Sequence, residues 1–168
     1  MTKRLILTRH AKSSWDDPLT PDHDRPINER GKRAAADLGQ WLASRGYVPG
    51  EVLCSDALRT QETYAGIRQA LSDAPDAKLK PTLYNAGVDV MLAVLRNATA
   101  DTVMIVAHNP GIAEFATRLV TRAPVNPEFS RYPTGATLVL EFPVEDWKEV
   151  AYGSGATLDF IVPREIMA

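Results

Sequence analysis

Two of the three histidines in this 168-residue chain stand directly behind short apolar runs. Leu5-Ile6-Leu7 leads through Thr8 and Arg9 to His10, and Met104-Ile105-Val106-Ala107 leads to His108. A continuous apolar run of this length is the pattern of a strand covered on both faces. In an open α/β sheet ligands collect at the carboxyl ends of the parallel strands, so both imidazoles are expected at one sheet edge. A further arginine, Arg59, lies five residues beyond Cys54, the end of another expected strand, at the opening of a helix. The chemistry therefore converges on Arg9, His10, Arg59 and His108. Guanidinium forks match phosphate oxygens in pairs and stay charged at any relevant pH. Neighbouring cations penalise an imidazolium, which keeps His10 neutral and nucleophilic. Phosphoryl transfer asks mainly for in-line positioning and stabilisation of equatorial charge. This set supplies both with no metal and no cofactor, and helix N-termini behind the strands would add backbone donors.

The elements that must position these residues are legible along the chain. Asn28 is placed to cap a helix from about Glu29 to Arg45, with Gly46 as its stop and Ala34, Ala35, Leu38, Trp41 and Leu42 on one stripe. Glu51 to Cys54 reads as a second strand. A helix from near Ala57 to Leu71 follows, with Leu58, Tyr64, Ala65 and Leu71 as inward positions. The stretch 73–81 is a polar, proline-punctuated loop with a short strand at Leu79. Val88 to Asn97 has helical spacing, Val103 to Val106 is a buried strand, and Pro110 suits the first turn of a helix. That helix carries Ile112, Phe115, Ala116, Leu119 and Val120 inward. After Pro124, Pro127 and Pro133, stretches 136–142 and 157–162 alternate as antiparallel or edge strands do. Strands alternating with helices predict a single domain over 1–168, a three-layer α/β/α sandwich around a mostly parallel central sheet.

Composition narrows the function. A formal charge of -2, from 19 basic and 21 acidic residues, offers no field for a polyanion, so no nucleic-acid partner is expected. The single cysteine excludes an internal disulfide framework and a cysteine-rich zinc site. The histidines lack the close helical spacing of a zinc site, and His23 falls in a loop, on or near the pocket rim. Leu5-Ile6-Leu7 is too short for a signal-peptide core and no later run approaches membrane length. No membrane partner is expected, and the expected setting is cytoplasmic.

Thr8-Arg9-His10-Ala11-Lys12-Ser13 resembles the signature of the histidine phosphatase superfamily, also called phosphoglycerate-mutase-like. Arg25-Pro26-Ile27-Asn28-Glu29-Arg30-Gly31-Lys32 resembles the segment that follows it there. The Ser55–Thr63 run around Arg59 resembles the second arginine motif, and Val106-Ala107-His108-Asn109-Pro110 the second histidine motif. Arg-His-Ala-Lys-Ser, the compact length and Pro133-Thr134-Gly135-Ala136 look most like the SixA-type phosphohistidine phosphatase branch. The resemblance implies His10 as nucleophile, Arg9, Arg59 and His108 as the phosphate pocket, and Ser13 and Asn109 as further substrate-binding residues. It also implies a phosphate-bearing substrate, with a phosphohistidine protein as the expected partner.

One departure matters. Many relatives carry a leaving-group carboxylate after the third strand, where this chain has Leu83-Tyr84-Asn85-Ala86. Asp16, Asp17, Asp22 and Asp24 are alternatives, but each reads first as part of a solvated loop with Asx turns, and the general acid stays unassigned. The gaps at 73–84 and 122–135 are short, so only a minimal lid is expected. Two other readings stand beside the phosphohistidine one: a small-molecule phosphomonoesterase of the same superfamily, and a phosphate-binding module without turnover. The cysteine-phosphatase pattern does not fit, because four residues rather than five separate Cys54 from Arg59 and none is glycine. Cys54 is expected as a small core hydrophobe. Gly153-Ser154-Gly155 lacks the third glycine and following helix of a dinucleotide fingerprint, so it is read as a turn.

Overall fold

The chain is described by a computed structural model covering residues 2–167. Strand β1 (Lys3–Arg9) lies inside a six-stranded sheet, flanked by β4 (Thr102–Ala107) running parallel and β5 (Thr137–Phe142) running antiparallel. With β2 (Glu51–Cys54), β3 (Ala77–Leu79) and β6 (Ala156–Ile161), the order is β3-β2-β4-β1-β5-β6. Only β5 opposes the rest, since β2, β3 and β4 pair in parallel and β6 pairs antiparallel with β5.

Each buried strand sends alternate side chains to opposite faces. Ile6, Val52, Cys54, Met104, Val106 and Val139 pack on α1 (Glu29–Ser44) and α2 (Leu58–Arg68). Leu5, Leu7, Leu53, Val103 and Ile105 pack on α3 (Val88–Arg96) and α4 (Gly111–Leu119). The result is the expected three-layer sandwich. Asn28 caps α1 as expected, its side chain accepting from the Gly31 amide at 2.8 Å. Close approach joins α1 to α2, because a Cβ at Gly39 would stand 2.3 Å from the Ile67 carbonyl oxygen. Among the described residues no helix is long and apolar enough to cross a membrane.

The inward face of α2 differs from expectation. Leu58 and Ala65 are exposed, Leu71 lies buried beyond the helix end, and Thr60, Thr63 and Ile67 join Tyr64 inside. The threonines bury because their hydroxyls find main-chain carbonyls, Thr60 at Ser55 and Ala57 and Thr63 at Arg59. Apolar periodicity does not register such residues. Trp41, on the expected α1 stripe, is only half-buried.

Candidate active site

The carboxyl ends of β1 and β4 are aligned, Arg9 opposite Ala107, so the residues that follow emerge side by side. The rings of His10 and His108 lie 5.4 Å apart, tilted by 52°. Main-chain bonds fix the His10 segment. Its amide donates to Ala107 at 3.1 Å, its carbonyl accepts from Gly135 at 2.9 Å, and the Ala11 amide donates to Thr63 Oγ1 at 2.9 Å. Gly135 reaches that carbonyl with φ +77°, and a Cβ there would stand 2.5 Å from Pro163, so glycine is required. His10 Nδ1 lies 2.7 Å from the Ala11 carbonyl. A carbonyl only accepts, so Nδ1 carries the proton and Nε2 keeps the lone pair.

Around this imidazole the fold opens a cavity of about 380 Å³ lined by Arg9, His10, Lys12, Ser13, Trp15, Arg25, Arg59, His108, Asn109 and Thr134. All six residues singled out from sequence thus share one cavity: Arg9, His10, Ser13, Arg59, His108 and Asn109. Arg25 was not among them, and the structure makes it the third guanidinium there. It is buried, donates to Ser13 Oγ at 2.7 Å, and meets the face of Trp15 at 3.6 Å. The signal was present, since Arg25 opens the run 25–32, but nothing local indicates where its side chain ends. Lys12, Trp15 and Thr134 likewise join the lining without having been singled out. The Asn109 side-chain amide donates to the Arg131 and Tyr132 carbonyls at 2.9 and 3.2 Å, tying the 131–135 segment to α4. A larger cleft of about 590 Å³ lies between β3 and α3, but no histidine or arginine lines it.

Burial lowers the His10 pKa to about 4, and Arg9, Arg59 and Arg25 push the same way. Burial lowers His108 to about 3, with His10 and Arg59 adding repulsion. Both imidazoles are neutral at pH 7. Among the described residues five buried side-chain nitrogen or oxygen atoms lack a hydrogen-bond partner, and four belong to this cavity: Arg9 Nε, Arg59 Nε, His108 Nδ1 and Asn109 Oδ1. Unpaired buried donors are costly. Arg9 Nε and Arg59 Nε are donors and His108 Nδ1 is one in the matching tautomer, whereas Asn109 Oδ1 only accepts. Donors unpaired beside three guanidiniums are the chemistry of an oxyanion site.

Asp22 is exposed in its loop, as expected, yet its carboxylate is tied to the cations of the cavity. Its Oδ1 accepts from Arg25 Nε at 3.1 Å, and its Oδ2 from Arg59 Nη2 at 3.1 Å and from the Tyr84 hydroxyl at 2.5 Å. The Tyr84 hydrogen bond, with the two arginines, lowers the Asp22 pKa to about 2. Tyr84, in the segment where relatives are expected to carry a carboxylate, sets its ring edge-on to His108 and His23. His23 is partly exposed beside the site, its Nε2 2.9 Å from Asp56 Oδ1, and that hydrogen bond raises its pKa. Asp16, Asp17 and Asp24 are exposed. Cys54 is fully buried and its thiol is pushed up to about 12 by burial.

Residues 5–91 match the model of the histidine phosphatase superfamily (branch 1). An uncharacterized chloroplastic protein of Arabidopsis thaliana is 38% identical over 71% of this chain, which spans 60% of that protein's length. An uncharacterized protein of Mycobacterium tuberculosis is 34% identical over 93% of this chain and 99% of its own. Among solved structures, a protein assigned as the phosphohistidine phosphatase SixA of Nakamurella multipartitia superposes with a TM-score of 0.80 at 30% identity, covering 97% of each chain. A phosphoglycerate mutase of Plasmodium falciparum shares the fold, with a TM-score of 0.65 at 19% identity over 95% of this chain and 91% of its own. The family model spans the first arginine-histidine pair and Arg59, and the SixA likeness runs through His108 to the last strand: the chain belongs to the histidine phosphatase superfamily.

Proposed function

We propose that this phosphatase hydrolyses phosphohistidine on proteins, with His10 as the nucleophile that carries the phosphoryl group in transit. The observation that carries the reading is a neutral His10, its Nδ1 proton held by the Ala11 carbonyl, among the guanidiniums of Arg9, Arg25 and Arg59. In the first step the His10 Nε2 lone pair forms a bond to phosphorus as the bond from phosphorus to the substrate ring nitrogen breaks. That nitrogen takes the electron pair, and the substrate ring, already protonated on its other nitrogen, leaves as neutral imidazole. Water then attacks the phosphorus, His10 recovers its lone pair, and inorganic phosphate leaves as dihydrogen phosphate, carrying both protons of the water. The arginines and His108 hold the equatorial oxygens throughout.

Substrate choice follows from the absent acid. An alkoxide leaving group needs a proton, yet Asp22, with its pKa near 2, is ionised at neutrality, and the Tyr84 hydroxyl, a weak acid, already gives its hydrogen bond to Asp22. A phosphoramidate needs no such donor. The short segments around the cavity leave it open, which suits a phosphoryl group presented on a protein surface, and the likeness to a protein assigned as a phosphohistidine phosphatase supports the same choice. The test is kcat/KM for a phosphohistidine protein, phosphoramidate, sugar phosphates and nucleotides at one pH. Turnover of a labelled substrate quenched in alkali should yield an acid-labile, alkali-stable phosphoenzyme in the wild type and none in His10→Ala. A clear preference for a sugar phosphate would overturn the substrate reading, and full turnover by His10→Ala would overturn the mechanism.

A further inference from the structure

The loop behind the candidate nucleophile leaves two large apolar side chains in solvent. Trp15 is 75% exposed and Leu19 88% exposed. Trp15 is not a loose surface residue. It lines the catalytic cavity, and one face of its indole lies on the Arg25 guanidinium, itself buried and pinned to Ser13 and Asp22. An aromatic ring on a fixed cation is a platform whose ordering cost is already met. The rest of the loop is ordered locally. Asp17 Oδ1 accepts from the Leu19 amide at 2.9 Å, the Asp17 carbonyl from Thr20 at 3.2 Å, and Ser14 Oγ from Asp16 at 3.1 Å. That turn presents Pro18 and Leu19 outward, with the carboxylates of Asp16 and Asp17 exposed beside them.

An anion-binding cavity bordered by an apolar and acidic turn has a definite complement. The exposed carboxylates of Asp16 and Asp17 repel anionic groups that reach the turn, while the phosphoryl group itself is neutralised by the arginines and Lys12 within the cavity, which disfavours substrates carrying further negative charge on the side of the turn. Pro18 and Leu19, exposed and outside the cavity lining, continue in sequence the apolar surface begun by the Trp15 that borders the cavity, and so offer apolar contact beyond the phosphoryl site itself. We propose that Trp15, Leu19 and Asp16 form a docking rim that selects a phosphohistidine set among apolar and basic side chains on a partner protein. This inference rests on the phosphohistidine reading and adds to it the chemistry of the flanking surface.

Two synthetic peptides of equal length test it, each with one central phosphohistidine, flanked in one by leucine and lysine and in the other by serine and glutamate. Phosphoramidate and AMP serve as probes that do not engage the turn. Wild type should cleave the leucine-lysine peptide with kcat/KM about tenfold or more above the other, a difference carried by KM and shrinking with added salt. Leu19→Ser and Asp16→Lys, which lie outside the cavity, should each remove several-fold of that preference while phosphoramidate turnover stays unchanged. Equal cleavage of the two peptides, a preference that survives both substitutions, or AMP cleaved in preference to either peptide would overturn the docking rim. Failure to cleave phosphoramidate and both peptides would instead remove the phosphohistidine reading, and the rim with it.

Discussion

Arg59 and Asp22 are joined at two points, the guanidinium donating to the Asp22 main-chain carbonyl at 2.7 Å and to its carboxylate at 3.1 Å, across 37 positions of sequence. The other carboxylate oxygen holds Arg25. One ionised side chain thus sets the spacing of two cations that would otherwise repel each other, and its own negative charge competes mildly with an incoming phosphate. Asp22 is a positioning residue in this scheme rather than a proton donor.

Asp22→Asn should accordingly raise KM several-fold and lower kcat less, because a neutral amide cannot hold both guanidiniums. The alkaline limb of its pH–rate profile should match the wild type, since a group with a pKa near 2 has no proton to give at neutrality. An alkaline limb lost specifically in Asp22→Asn would make Asp22 the acid.

The pH dependence has a definite sign. Protonation silences His10, so kcat/KM should stay flat from neutrality down to about pH 5 and fall as pH drops through about 4. Stability should begin to fall earlier. Below about pH 6.5 an unfolded histidine takes up a proton that folded His10 and His108 refuse, so unfolding becomes easier as pH falls from there toward 4. An oxyanion such as vanadate or tungstate in the cavity should inhibit turnover and soften this loss by favouring the protonated rings. Thermal melts at pH 7 and 4.5, with and without the oxyanion, measure it; an acid limb centred near 6.5 would contradict the buried environment of His10.

Arg25→Ala should cost on the order of 10²–10³ in kcat, the usual loss for one charge-stabilising donor in an acyl or phosphoryl site. Arg25→Lys should recover little, because an ammonium cannot span Ser13 and Asp22 together while lying flat on Trp15. Steady-state kinetics on phosphoramidate separates the outcomes, and near wild-type turnover by Arg25→Ala would leave Arg9 and Arg59 as the sole phosphate clamp.

Cys54→Ser should retain turnover and lose about 1–3 kcal/mol of stability by burying a hydroxyl beneath the helices. The buried thiol, pushed up to about 12, supplies no thiolate at neutrality. Activity measured alongside a denaturation curve decides this, and full activity in the presence of a chelator would match a reaction that draws on no metal. Inactive but folded Cys54→Ser would point to a thiol mechanism.

Much of this architecture follows from the order of residues alone. Val103 to Val106 and Leu5 to Leu7 can only be strands buried on both faces, and an arginine or histidine at their carboxyl ends must surface at the same sheet edge. Asn28 and Gly46 bracket α1 for reasons of capping and backbone conformation that act within a few residues. The tertiary structure alone decided the rest. Nothing near Asp22 or Arg25 indicates that their side chains meet Arg59 and Ser13, because those contacts form only when the loop after β1 folds back over α2. The same holds for the inner face of α2, where Thr60 and Thr63 bury by satisfying carbonyls within α2 and at its entry while Leu58 turns to solvent. Local propensity and hydrophobic period record what a residue does to its own segment. A charge clamp, a shared carboxylate and an exposed tryptophan held on an arginine are properties of segments brought together, and their energies exist only once the chain has closed.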